Sequence, residues 1–144
     1  MREPAGLLLL LGGCDMTALA VGRRMPPAVR AAFNAELTTA RVATDAATAW
    51  RAAERAHILS QPWPWPHTVV HAVMLRRALR ERDRVEAVGQ VLRLAVAGPG
   101  SALGRYPAGN TGRARVPLTQ PMPIPADLAA VLANAPGTAA DAAR

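Results

Sequence analysis

Apolar residues recur every three or four positions at Val29, Phe33, Leu37 and Ala40, the stripe of a helix with one buried face. The pattern predicts a first helix over about Pro27–Val42. Pro26 and Pro27 stand at its entry, where a missing N–H costs little. A second helix follows to about Ser60, with Thr44 and Asp45 as candidate caps. Ala49, Ala53 and Ala56 line one strip of it, flanked by Trp50, His57 and Leu59. The segment "QPWPWP" predicts a rigid extended connector, because each proline removes a backbone donor and biases its predecessor away from helix. A third helix is expected over about Pro66–Arg82. His67, His71, Met74, Leu75 and Ala78 share its stripe, while Arg76, Arg77 and Arg80 turn mostly away. Asp83 and Glu86 form a capping-box-like pair opening a fourth helix to about Ala97. Val85, Val88, Leu92, Ala95 and Val96 are its expected buried face, and Gly98 with Pro99 its expected stop.

Beyond Gly98 the periodicity fades. The stretch "GPGSALGRYPAGNTGRARVPLTQPMPIP" reads as an irregular segment lying across the helices, with "PMPIP" as polyproline-like chain. A last short helix, about Ala126 to Asn134, carries Leu128, Val131 and Leu132. The expected fold is therefore all-α: two antiparallel helical hairpins built from four main helices, an irregular Gly/Pro-rich segment and a short C-terminal helix. "AWRAAERAHIL" has a faint tetratricopeptide flavour, but two repeats at best are visible and a solenoid needs at least about three.

Composition supports this reading. Hydrophobic residues make up 51% of the 144, much of it alanine, and the aromatic side chains are Phe33, Trp50, Trp63, Trp65 and Tyr106. That favours helix over strand. The net charge is +7, and every basic side chain is arginine. Such a surface attracts phosphates, nucleic acid or anionic lipid, although charge alone speaks to association and solubility rather than fold.

The domain is expected over residues 25–134, with 135–144 a disordered tail. Residues 1–24 read as a disordered or mis-called extension, with Met25 the expected start. Leu7–Leu11 followed by Gly12-Gly13-Cys14 resembles a lipoprotein signal, yet Glu3 and Pro4 sit in its basic region. Asp15 and the glycines stop the apolar run far short of the roughly 20 residues a membrane span needs. With Cys14 the sole cysteine, no intramolecular disulfide and no thiolate cluster can form. A cytoplasmic location is expected, the alternative being a lipid anchor on Cys14.

The segments "AVRAAFNAEL", "ERAHILSQ", "PHTVVHAVMLR", "GQVLRL", "GNTG" and "PMPIP", in that order, resemble a bacterial family of unknown function, the domain-of-unknown-function family numbered 3703. The likeness runs from about Met25 to Leu132. It implies a domain starting near Met25 and supplies no activity.

One constellation carries specific chemistry. All three histidines flank the Trp-Pro connector: Glu54 and His57 three apart before it, His67 and His71 four apart after it. Residues so spaced are neighbours on a helix surface. A hairpin would bring both pairs together as a Glu54, His57, His67, His71 set, borderline ligands for a divalent transition metal such as zinc, or for iron, nickel or copper. A dinuclear centre needs more carboxylates, and Glu36 is the one obvious extra. The competing reading is structural: His57 bonded to a backbone carbonyl, Glu54 paired with an arginine, His67 exposed in a first turn. "GNTG" reads as a turn or as an anion cradle helped by Arg105 or Arg113. The arginines from Arg76 to Arg84 offer a face for a protein or nucleic-acid partner, without any nucleic-acid signature. No serine or cysteine has a credible triad, so an enzyme here would be metal-dependent, with Glu54 as base.

Overall fold

The computed structural model describes residues 24–134. The leucine run, Cys14 and the tail after Asn134 lie outside the described residues. Among the described residues five helices follow in order: α1 Pro27–Val42, α2 Ala46–Ser60, α3 Pro64–Glu81, α4 Arg84–Ala102 and α5 Ala126–Ala133. No strand occurs among the described residues, and the chain is all-α. No helix among the described residues is long and apolar enough to cross a membrane.

Helices α1 and α2 pack as one hairpin and α3 and α4 as another, with α2 against α3 joining them. In α1 the expected stripe is the observed one: Val29, Phe33, Leu37 and Ala40 are buried. Ala52, Ala53 and Ala56 on α2 let α1 approach closely, and Ile58, Leu59, Trp63, Val70 and Met74 complete one core. Full burial of each large side chain there contributes about 1.5–3 kcal/mol. Asp45 caps α2, its Oδ2 accepting the Thr48 N–H at 2.8 Å. Helix α5 lays Leu128 on this core. Arg55 clamps α5 to the first hairpin, its Nε donating to Glu36 at 2.6 Å and its Nη2 to Asp127.

The connector is shorter than its prolines suggested. Helix α3 begins at Pro64, so Pro64 and Pro66 occupy its first turn, where backbone N–H groups have no intrahelical partner in any case. Of the two tryptophans in this region, Trp63 is buried and Trp65 is 76% exposed. Helix α3 ends on Arg82, at φ 59°, and the Asp83 N–H reaches back to the Ala78 carbonyl at 3.0 Å.

Helix α4 departs most from expectation. Asp83 does cap it, accepting the Glu86 N–H at 3.0 Å, but the Glu86 side chain turns into the protein instead of closing a capping box. The helix does not stop at Gly98 and Pro99. It continues to Ala102, with the Leu103 N–H bonded to the Pro99 carbonyl at 3.0 Å. The buried face is Glu86, Gln90, Arg93, Ala97 and Ser101, at spacings of four, three, four and four. The valines and leucine expected inside are outside: Val85 is 60% exposed, Val88 72% and Leu92 54%, with Ala95 and Val96 also exposed. The physical reason is that α3 presents histidines to α4, and only polar partners satisfy them.

The irregular segment between α4 and α5 is held by two buried amides. Gln61 donates to the Pro107 carbonyl at 2.7 Å and accepts the Gly109 N–H at 3.1 Å. Asn110 donates to the carbonyls of Pro117 and Gln120 at 3.0 and 2.8 Å. These bonds lay the segment across the end of α2 and the start of α3, beside the histidines.

Candidate metal centre

His57 enters from the last turn of α2, His67 and His71 from the first two turns of α3, and all three are buried. The expected convergence of the two helix-borne pairs is met by the histidines. Their Nε2 atoms form a triangle with edges of 2.8 Å (His57–His67), 3.2 Å (His57–His71) and 3.2 Å (His67–His71).

The other ring nitrogens fix the tautomers. His57 Nδ1 lies 2.8 Å from the Asn110 carbonyl, which can only accept. His71 Nδ1 lies 2.7 Å from Gln90 Oε1. The Gln90 orientation is set because its Nε2 donates to Glu86 Oε1 at 2.7 Å and to the Gly112 carbonyl at 2.9 Å. His67 Nδ1 lies 2.7 Å from Ser101 Oγ, whose own proton goes to the Gln61 carbonyl at 2.6 Å. Each Nδ1 is therefore a donor. A neutral imidazole carries one ring proton, so each Nε2 presents a lone pair to the other two. Burial keeps the rings neutral. It holds His57 well below the usual histidine range, with His71, His67 and Arg93 adding repulsion. It pushes His67 down to about 3, the neighbouring His71 assisting. It pushes His71 down to about 4 against the opposing Gln90 hydrogen bond.

Three lone pairs at such distances repel unless a cation lies among them. Three buried histidines within ligand distance could hold a metal ion. Each ring is oriented through Nδ1 by a polar partner, the usual support for a metal-binding imidazole. The hydrogen bond from His57 to a carbonyl, which the sequence offered as the alternative to metal binding, is compatible with it because the two uses occupy different nitrogens.

Glu54 is not brought into the group. Its Oε1 accepts from Arg113 Nη1 at 3.1 Å, the arginine pairing foreseen in the structural reading. The Arg113 guanidinium also lies 3.8 Å over the Trp50 ring and donates to Glu86 at 3.2 Å. Glu36 is taken by Arg55. The "GNTG" loop is not an anion cradle: the N–H groups of Gly109 and Gly112 go to Gln61 and to Asn110 Oδ1. Its carbonyls instead support the histidines. Gly112, at φ +78°, lies flat against His57, and a Cβ there would stand 2.7–2.8 Å from the ring. The arginine run is divided, since Arg77 is bonded to Glu81 at 2.5 Å and to the Ala43 carbonyl at 3.3 Å.

Sequence reasoning missed Gln90, Arg93, Ser101 and Asn110. A signal existed for the α4 residues: Glu86, Gln90, Arg93, Ala97 and Ser101 fall on one helical stripe of an otherwise apolar helix. In front of the imidazoles lies a pocket of about 470 Å³, bordered by His57, His67, His71, Arg93 and Arg105 and by apolar side chains including Val96 and Leu118.

Residues 27–132 match the family model described as a protein of unknown function (DUF3703), and the chain belongs to that family. No curated protein and no solved structure matches the chain.

Proposed function

We propose that this protein binds one divalent transition-metal ion, such as zinc, through Nε2 of His57, His67 and His71. The observation that carries the reading is the convergence of three Nε2 lone pairs at 2.8–3.2 Å while every Nδ1 proton is committed elsewhere. Neutral imidazole is a borderline ligand that suits zinc, copper, nickel and iron, and three such ligands leave a four-coordinate ion one open position. Three nitrogens so spaced would hold an ion at the usual metal–nitrogen distance of roughly 2.0–2.1 Å and would leave room for a fourth ligand. Glu54 is outside the ligand set in this reading.

The test is elemental analysis after loading with excess zinc and desalting, with circular dichroism to verify folding. Wild type should carry a single ion per chain, Glu54→Gln the same, and the His67→Ala/His71→Ala double variant only background. Folded wild type that retains no zinc defeats the proposal.

A further inference from the structure

The pocket and the charge around it define what would complete such a centre. Arg93, buried, lies on the pocket wall with Nη2 donating to the Val116 carbonyl at 2.6 Å and Nη1 to Gly89 at 3.4 Å. Arg105 stands at the exposed rim. No aspartate or glutamate borders the pocket among the described residues. The nearby carboxylates are matched already: Glu86 with Arg113 and Arg115, Glu54 with Arg113, and Asp83 with Arg115. Three carboxylates against Arg93, Arg113 and Arg115 leave no spare negative charge for a buried dication held by neutral ligands. An uncompensated buried charge is costly. The missing negative charge therefore has to come from outside, through the open face.

We infer that the pocket takes a small organic carboxylate as the ion's fourth ligand, its charge set against Arg93 and Arg105 and its apolar body against Val96, Leu118 and Pro121. This rests on the metal reading above. The volume of about 470 Å³ falls within the range of roughly 300–1,000 Å³ typical of small-molecule sites. The apolar lining selects a carboxylate with a hydrocarbon portion over a bare inorganic anion, because a naked anion would leave that surface wet.

Cobalt(II) reports both layers separately. Cobalt-loaded wild type should show the visible bands of a four-coordinate centre. Benzoate should shift them saturably, at lower concentration than acetate or azide, and neutral benzamide should leave them unchanged. Arg93→Gln should weaken benzoate about tenfold or more, the worth of a hydrogen-bonded charge partner. Arg105→Gln, at the exposed rim, should weaken it about twofold to fivefold. If Arg93→Gln loses its cobalt bands through misfolding, Arg105→Gln still carries the test. Normal cobalt bands that no carboxylate perturbs overturn this inference and leave the metal site standing. Azide binding as tightly as benzoate overturns the carboxylate assignment. Absence of cobalt bands altogether defeats the metal site and the inference with it.

Discussion

Helix α1 turns Val29, Phe33, Leu37 and Ala40 inward, and none of these side chains carries a polar atom. Helix α4 turns Glu86, Gln90, Arg93, Ala97 and Ser101 inward and leaves Val85, Val88 and Leu92 to solvent. The two helices belong to neighbouring hairpins of one small domain, yet they are buried by opposite criteria. Along α1 the free energy comes from removing apolar area from water. Along α4, polar groups are removed from water, which is unfavourable unless each finds a partner. Those partners are supplied: Gln90 between Glu86 and His71, Ser101 between His67 and Gln61, and Arg93 on a loop carbonyl. The difference teaches that α1 acts as scaffold, while α4 orients the histidines that α2 and α3 carry. A buried network costs stability and returns orientation, and the orientation here is that of three imidazoles.

The largest expected effect exploits the polar side. The folded-state pKa values of His67 and His71, about 3 and 4, lie below the unfolded value near 6.5, both lowered by burial first. Between those limits the unfolded chain binds more protons than the folded one. Stability of the metal-stripped protein is therefore fully present above about pH 6.5 and is lost as pH falls toward 4, by at least about 3 kcal/mol. Urea midpoints measured from pH 7.5 to 4 check this. Bound zinc should move the loss to lower pH, since protons and metal compete for the same Nε2 atoms. A flat profile for the stripped protein would mean that the rings are not buried as neutral groups.

The next pair of variants separates scaffold from site. Phe33→Ala on α1 removes a large side chain from the apolar core and should cost about 3 kcal/mol. Zinc affinity of the folded fraction should be unchanged, because α1 carries none of the three histidines. Gln90→Leu should do the reverse. It removes the His71 partner and should weaken zinc about tenfold to a hundredfold, the usual cost of losing a residue that orients a metal ligand. Calorimetry on zinc binding together with denaturant unfolding reads both quantities. Equal loss of stability and affinity in both variants would erase the division between α1 and α4.

The same division explains what was legible in the sequence. Period and composition gave α1 and α2 nearly to the residue, because there apolar residues really are the buried ones. The histidine spacing foretold the convergence of His57, His67 and His71, since i,i+4 geometry and a tight connector leave few alternatives. It also drew in Glu54, because spacing on one helix cannot reveal that Arg113, far along the chain, takes the carboxylate. The orientation of α4 was illegible to a rule that places apolar residues inside. Its polar stripe has the same helical period as its apolar one, and only the histidines opposite decide between them. Pro99 misled for a related reason: a proline disfavours helix through a lost hydrogen bond and a clash with the preceding turn, yet α4 runs on through it and sets Ser101 against His67 and Gln61.

The smallest expected effect is the sharpest test of that inverted helix. Val88 is 72% exposed and Leu92 54%, so Val88→Gln and Leu92→Gln should each change stability by no more than about 0.5 kcal/mol, the ordinary range for surface positions. Were these residues instead packed in the core, as apolar periodicity alone would have them, placing an amide there without a partner would cost several times as much, with the lost burial added. Denaturant midpoints for the two variants distinguish these outcomes without any reference to metal. Near-neutral values place Gln90 and Ser101 on the histidine side of α4, because a helix cannot bury both stripes. Values above about 2 kcal/mol would rotate the helix, take Gln90 away from His71, and remove the hydrogen bonds from which the Nε2 lone pairs were deduced.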